Sequence, residues 1–421
     1  MMKRRKTGGR ALALALLGAT LLLWGCESLD FSNPNAPIVD DVTIQSLVTG
    51  VEAGMRVDLA IYLRVVGLLG REIYYFEPAD PRYTGEILFG NPDPGGFLVN
   101  RPWSARYRTI ANCRFLLDRN AGPAVDGFAK TMLAYQLLLN ANYTDGRIKL
   151  DFSGNLAASL TTRDQALEAI HNLLNDGYND LQAAGAAFPF QLSEGFTGFD
   201  TPPQFAKFNR ALSARVMAYR GDFNQVLQAL AASFIDAAAA MDLGVYHVYG
   251  SGLGDQTNEI FENPAATFVK LMGHPSLKTD AEANDQRFVT KLFVRPAATT
   301  FDNLTTDLGV TIAASSTDRL PIIRNEELLL LRAEANLALN NLGQAQTDLN
   351  VVRAAAGLPA VNLTDAAALT NQLVRERRYS LFMEGHRWVD ARRWGRLAEL
   401  PVDRASDRVI GAMPTPTTES P

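Results

Sequence analysis

Apolar residues at helical spacing dominate the chain from residue 41 onward. This spacing is the repeat of an amphipathic helix packed against a core. The clearest runs lie at 43–68, 103–118, 126–140, 204–219, 223–240, 324–340, 343–356, 365–384 and 386–397. With 421 residues, of which 47% are hydrophobic and 20% charged, the chain can bury a sizeable core. The sequence therefore predicts a mostly α protein.

Two stretches interrupt this helical pattern. The first is rich in aromatic residues, proline and glycine, and the second has many glycines and few long periodic runs. Long irregular stretches in a compact domain are usually functional. We therefore predict one domain over 41–403, followed by a polar C-terminal tail at 404–421. Its helical scaffold would cover 41–68, 103–240 and 318–403, and its loop-rich parts 69–102 and 241–317.

Two helix pairs look like tetratricopeptide units. The first joins 204–219 to 223–240 through Gly221-Asp222, and the second joins Asn325–Asn340 to Gly343–Ala356. Small residues where two helices cross allow a close approach, and leucines fill the groove. A generic helical hairpin would give the same pattern, so both interpretations stay open.

The N-terminus has the pattern of an export signal. Residues 3–10 are basic and 11–23 are apolar, which is too short to span a bilayer comfortably. Leu23-Trp24-Gly25-Cys26 resembles the lipobox of bacterial lipoproteins, although Trp24 is bulky where a small residue is usual. We expect a signal peptide at 1–25, lipidation of Cys26 and a tether at 26–40. The alternative is an ordinary cleaved signal with an incidental cysteine.

Charge and motifs argue against several function classes. Without residues 1–25, 35 basic residues face 45 acidic ones, and an acidic body is a poor ligand for nucleic acid. The four histidines are far apart and lack the spacing of metal ligands. Nucleophile elbows, phosphate loops and dinucleotide fingerprints are also lacking. We therefore expect no metal, cofactor or catalysis, although paired carboxylates of a glycosidase could still meet in space.

The C-terminal third carries a series of motifs in a fixed order. They are Pro321–Ala335 (PIIRNEELLLLRAEA), Leu349–Arg353 (LNVVR), Arg375–Arg378 (RERR), Phe382–Asp390 (FMEGHRWVD) and Arg392–Gly395 (RRWG). This series resembles the SusD/RagB family of nutrient-binding outer-membrane lipoproteins. Asn209–Val216 and the helix around Trp103 agree with it. Asn142–Gly146 departs from it, because it lacks the proline of the family's turn.

The resemblance implies a function as well as a SusD-like helical fold. The chain would be lipid-anchored at Cys26 in the outer membrane, with its body facing the extracellular side. It would capture an oligosaccharide or a peptide and deliver it to a partner TonB-dependent (SusC-like) barrel, closing over the barrel like a lid. The alternatives are an envelope tetratricopeptide-type scaffold that binds protein partners and, third, a surface glycosidase.

Aromatic residues in the irregular stretches are the candidate ligand contacts. Sugars stack their C–H faces on aromatic rings and need polar partners for their hydroxyls. The first group is Tyr74, Tyr75, Tyr83, Phe89 and Phe97, with Asn91 and Asp93 as polar partners. The second group is Tyr246, His247 and Tyr249, with Asp255, Gln256 and Asn258. The alternative is that these rings only pack their loops onto the helical body.

Seven arginines interleaved with acids lie in residues 375–396. We interpret this segment as a structural lock in which guanidinium groups pair with carboxylates and stack on indoles. The residues assigned to the lock are Arg377, Glu384, Arg387, Trp388, Asp390 and Trp394. A site for an anionic ligand is the alternative.

Overall fold

A computed structural model of the chain describes residues 42–153, 155 and 158–419. The predicted signal peptide, Cys26 and the tether lie outside the described residues, and the helical body begins at Ile44. Among the described residues, no helix is both long enough and apolar enough to cross a membrane.

The N-terminal half is built from long helices that pack on their neighbours in sequence. They are α1 (Ile44–Arg56), α2 (Leu59–Leu69), α3 (Phe97–Asp118), α4 (Pro123–Thr144) and α5 (Arg163–Ala183). Every residue of α2 is buried, as expected of a helix in which Arg64 is the one charged residue. Thr162 caps α5 by accepting a hydrogen bond from the backbone N–H of Gln165, whose side chain accepts from Thr162 in return.

Short turns join the helices of two pairs. The first pair is α6 (Pro202–Arg220) and α7 (Phe223–Ala231). Gly221 ends α6 at φ +77, a left-handed conformation that favours glycine, and the Asp222 carboxylate caps α7.

The second pair is formed by α10 and α11, and α12 packs against it. These helices cover Asn325–Ala338, Leu342–Ala355 and Ala366–Ser380. Buried leucines such as Leu329, Leu349 and Leu369 fill the core between them. The structure therefore confirms the mostly α class and its two tetratricopeptide-type helix pairs.

Six strands lie in the described part of the chain. β1 (Ile73–Tyr75), β3 (Leu271–Gly273), β5 (Leu304–Val310) and β4 (Leu292–Phe301) form an antiparallel sheet in that order, and β2 (Gly244–His247) pairs with β6 (Leu320–Arg324). The short helices α8 (Ser276–Thr279) and α9 (Gln286–Lys291) precede β4. The part predicted to be loop-rich, 241–317, therefore contains four of the six strands and two short helices among its loops.

The first predicted loop also contains regular structure. β1 and a π-helical turn at Tyr83–Ile87 lie within 69–102, and α3 begins at Phe97 rather than at 103. Pro102 lies inside α3, in its first turns. The loop that was predicted over 69–102 from its proline and glycine content is therefore too long at its C-terminal end, because α3 already begins at Phe97.

Two predicted helices end early. The helix expected over 223–240 stops at Ala231, where the Ser233 hydroxyl donates to the carbonyl of Leu230 and accepts from the N–H of Ile235. The helix expected over 365–384 stops at Ser380. Met383 and Gly385 then adopt φ +61 and φ +84, and α13 (Arg387–Arg393) begins.

The polar C-terminal segment packs on the helical body. Its backbone N–H groups at Arg408 and Met413 donate to the carbonyls of Leu88 and Tyr143, each at 2.9 Å. The Trp388 indole donates to the carbonyl of Ile410 at 2.8 Å. These bonds join the chain end to α4, α13 and the Tyr83–Ile87 region.

Candidate functional site

A cavity of about 360 Å³ lies among α2, α4, α6, the β2–β6 ribbon and the turn Phe382–His386, and we call it the central cavity. Its volume is in the range of small-molecule sites. Its wall combines tyrosines with charged side chains. These tyrosines and charged side chains form the candidate site.

Buried ion pairs fix the polar wall of the central cavity. Arg215 donates through Nε and Nη2 to the two carboxylate oxygens of Glu327, both at 2.6 Å, and both side chains are buried. Arg324 donates through Nη2 to Glu384 at 2.7 Å. Burial alone would raise the pKa of Glu327, but the Arg215 guanidinium outweighs it and lowers that pKa. The acid therefore stays ionised and holds the arginine in place.

Two buried histidines face tyrosine hydroxyls in the same cavity. His247 Nε2 lies 3.2 Å from the hydroxyl of Tyr135, and His386 Nδ1 lies 3.4 Å from that of Tyr219. Burial lowers the pKa of His247 to about 3 and that of His386 to about 4. Both imidazoles are therefore neutral at physiological pH, so each carries one donor and one acceptor nitrogen.

The mouth of the central cavity is formed by Asp242, Tyr246 and Arg319. The Arg319 guanidinium lies 3.9 Å from the centroid of the Tyr246 ring and 3.2 Å from the Asp242 carboxylate. The side chains of Arg319 and Asp242 are 55% and 68% exposed, whereas Tyr246 is 6% exposed. A solvent-facing cation thus covers a buried aromatic face.

Lys291 is a further charged group of this cavity. Its ammonium donates to the carbonyl oxygens of Tyr379, at 3.0 Å, and of Ser380. Burial lowers the pKa of Lys291 to about 8. The ammonium of Lys291 is therefore easier to deprotonate than that of an ordinary lysine.

The aromatic residues predicted in the first loop are mostly enclosed. Tyr74, Tyr75 and Tyr83 are 1%, 6% and 4% exposed. Tyr75 and Tyr83 pack edge to face at 4.6 Å, and Arg64 lies over the Tyr75 ring. These rings pack their segment onto the body and present almost no surface to solvent.

Three residues of the same group remain accessible. Phe89, Asn91 and Asp93 are exposed, while Phe97 is half-buried against Tyr83. The Asp93 carboxylate accepts a hydrogen bond from the backbone N–H of Gly95 at 2.8 Å. None of them lines the central cavity, so ligand contact by these residues stays a prediction.

The second predicted group is divided between two places. Tyr246 and His247 line the central cavity. Tyr249 is half-buried with Arg56 over its ring at 5.9 Å, and Asn258 is buried with its amide donating to the carbonyl of Asp318. Of the thirteen residues in the two predicted groups, the structure therefore brings Tyr246 and His247 into this cavity.

Most residues of the predicted lock form ion pairs or stack. Arg377 donates to Asp390 at 2.7 Å, and Glu384 accepts from Arg324. Trp388 is fully buried, and the Trp394 indole donates to Glu334 at 3.0 Å. Arg387 differs, because its side chain forms no ion pair or hydrogen bond with any described residue.

Several cavity residues were not identified from the sequence. Tyr62, Tyr135 and Tyr219 lie on three helices far apart in the chain, and Arg319 lies in a segment without periodicity. Only the fold brings them together, and no spacing rule could have found them. Groups of three or more potential metal ligands do not occur in the described ranges.

Comparisons with known proteins identify relatives at the level of family and fold. A family model described as the SusD family matches residues 196–417, which is more than half of the chain. A search of curated protein sequences found no match.

Solved structures share the fold over most of the chain at low sequence identity. A laminarin-binding SusD-like protein is 17% identical and has a TM-score of 0.66, with 89% of this chain and 96% of that one covered. Surface glycan-binding protein A from Bacteroides thetaiotaomicron is 15% identical, with coverages of 86% and 92% and a TM-score of 0.65. A SusD superfamily protein from Bacteroides vulgatus is 14% identical, with coverages of 86% and 89% and a TM-score of 0.64.

Proposed function

The chain belongs to the SusD family, and from this premise we propose that it is a cell-surface nutrient-binding protein whose central cavity takes up part of a glycan. The observation that carries the proposal is the mouth of that cavity, where an exposed arginine covers the ring of Tyr246.

The mouth has the chemistry that a sugar requires. The Tyr246 ring offers an apolar face for C–H stacking, and Asp242, Arg319 and Lys291 offer polar partners for hydroxyls. Exposed ion pairs such as Arg319–Asp242 stabilise a protein by only about 0–1 kcal/mol. A ligand could therefore displace the guanidinium from the ring at little cost and take its place.

The solved relatives support a glycan rather than a peptide as the first ligand to test. One is named a laminarin-binding SusD-like protein, and another was solved in complex with laminarihexaose. Laminarihexaose is therefore the first probe, within a panel of other neutral oligosaccharides and short peptides.

The test is isothermal titration of the mature chain with this panel. We expect one oligosaccharide to bind and Tyr246→Ala to weaken it about tenfold or more, because a stacking face is lost. Tyr178→Ala is the matched control, since Tyr178 also carries an arginine over its ring, Arg210 at 4.3 Å, but lies outside the central cavity. Equal affinity in Tyr246→Ala and wild type would contradict the assignment of this cavity.

The acids of the central cavity favour binding over hydrolysis. Glu327 pairs with Arg215 and Glu384 pairs with Arg324. A glycosidase needs one carboxyl group whose pKa is raised so that it can protonate the leaving oxygen. The pKa of Glu327 is lowered instead, because the Arg215 guanidinium stabilises its ionised carboxylate. Release of reducing sugar from any panel member would count against a binding role.

Anchoring at Cys26 and delivery to a TonB-dependent barrel belong to the same proposal. The lipobox-like sequence supports the anchor, and family membership supports the barrel partner and an outer-membrane location. Labelled palmitate should enter the wild type and not Cys26→Ala. Co-purification with envelope proteins that include no barrel would instead favour the scaffold alternative.

Phe89, Asn91 and Asp93 are proposed as additional ligand contacts because their side chains are exposed.

A further inference from the structure

A second cavity, of about 350 Å³, lies among α12, α13 and the segment 396–401. We call it the arginine cavity, because arginines are the commonest residue in its wall. Five arginines face three acids there. The arginines are Arg375, Arg377, Arg378, Arg387 and Arg396, and the acids are Asp280, Asp390 and Glu399. The wall therefore carries a net positive charge, although the chain as a whole is acidic at −5.

The three acids are already paired with arginines. Asp390 accepts from Arg377 at 2.7 Å, Asp280 accepts from Arg378 at 2.5 Å, and Glu399 accepts from Arg396 at 2.8 Å. Arg375 has its nearest acid, Glu282, at 3.6 Å, beyond hydrogen-bond distance. Arg387 has no side-chain partner among the described residues. The excess charge of the wall is thus concentrated on Arg375 and Arg387.

Three guanidinium donors in this wall are enclosed and unsatisfied. They are Nη1 of Arg377, Nε of Arg378 and Nε of Arg387. Arg377 is only 3% exposed, so its Nη1 cannot be satisfied by bulk solvent. These enclosed nitrogens have almost no accessible surface, so a ligand in the cavity would contact the terminal nitrogens of Arg387 and the guanidinium of Arg375 instead. An oxyanion is the group that accepts charge-assisted hydrogen bonds from several such donors at once.

The charged groups around Arg387 do not balance its positive charge. Burial and the neighbouring Arg378 charge lower the pKa of Arg387 to about 9, and Glu72 opposes this only in part. Glu72 itself is buried, which raises its pKa to about 7, so it is a weak counterion at neutral pH. An anion in the arginine cavity would complete the charge balance.

The size of the cavity indicates what carries the anion. About 350 Å³ is within the range of small-molecule sites and far exceeds the share of liquid volume of one water, roughly 30 Å³. The half-buried Trp394 ring also lines it and offers an apolar face beside the arginines. A small organic molecule with one anionic group fits these features better than a bare ion does.

We propose that the arginine cavity is a binding site for an oxyanion, a carboxylate or sulfate group carried by a small molecule such as an acidic sugar. This site is separate from the central cavity, and the inference does not rest on the proposed function. Arg387 and Arg375 would hold the anionic group, and Trp394 would pack against the rest of the ligand.

The test is isothermal titration of the mature chain at fixed ionic strength with glucuronate, inorganic sulfate and neutral glucose. We expect glucuronate to bind and glucose not to bind. Binding of sulfate would show that the anionic group alone is sufficient. Arg387→Gln should weaken glucuronate binding by about tenfold to a hundredfold, the range for a lost charge-assisted hydrogen bond.

A second variant acts in the opposite direction. Glu399 is 57% exposed in its side chain, so Glu399→Gln should fold normally and should tighten anion binding by removing a negative charge from the wall. Arg147→Gln removes an exposed positive charge outside the cavity and is the control. Failure of both anions to bind the folded chain would overturn the proposal. Equal affinity in wild type, Arg387→Gln and Glu399→Gln would overturn it as well.

Discussion

The central cavity and the arginine cavity are lined by consecutive parts of one segment, but their charges are balanced differently. Phe382–His386 contribute to the first, and Arg387, Asp390 and Ala391 contribute to the second. In the central cavity, Arg215 and Arg324 both have carboxylate partners. In the arginine cavity, Arg387 has no such partner among the residues that the structure describes. Paired charges hold a wall in place, whereas an unpaired buried charge indicates where a ligand is expected.

The largest effect should come from breaking a pair in the central cavity. Glu327→Gln leaves Arg215 buried without its counterion, which costs about 3–5 kcal/mol of unfolding free energy. Urea or guanidinium unfolding monitored by circular dichroism measures this loss of unfolding free energy. Glu399→Gln is the control, because its partner Arg396 lies at a more exposed position and the loss should stay below about 1 kcal/mol. Similar losses in the two variants would mean that the pairs do not differ as described.

A smaller effect should follow from the neutral histidines of the central cavity. The folded pKa of His247, about 3, lies below its ordinary value of 6.5. Below pH 6.5 the unfolded chain therefore binds a proton at this residue that the folded chain does not. Its contribution to stability is fully present above pH 6.5 and is lost as the pH falls toward 3.

We expect the stability difference between wild type and His247→Gln to change by about 1.4 kcal/mol per pH unit between pH 6 and pH 4, in favour of the variant. Denaturant unfolding at several pH values measures this change. Tyr135→Phe removes the same hydrogen bond, and the Tyr135 phenol, with a pKa of about 12, does not titrate between pH 4 and pH 6, so its difference from wild type should not change over this range. A difference for His247→Gln that is constant over this range would show that the imidazole is not held neutral.

The sequence allowed much of the fold to be predicted and little of the site. Helical spacing located helices such as α11 and α12, because their buried residues repeat with the helical period. It could not show where α7 ends, since that depends on the local hydrogen bonds of Ser233.

The aromatic loop shows why the site was harder to predict. Its composition suited a sugar site, yet Tyr74 lies in β1 and its ring is stacked on Phe76 and packed against His274. Composition does not distinguish a ring that faces a ligand from one that faces the core. The mouth around Tyr246 depends on Arg319, which is 73 positions away in sequence. Such long-range contacts are set by the tertiary fold alone.

We propose that the central cavity and the arginine cavity bind different chemical classes of ligand. Hydrogen–deuterium exchange of the mature chain with a neutral oligosaccharide that binds it, and separately with glucuronate, tests this most directly. We expect the oligosaccharide to protect β2 and the residues around Arg319, and glucuronate to protect α12 and α13. Protection of the same segment by both ligands, or protection by the oligosaccharide only around Phe89, would contradict the claim.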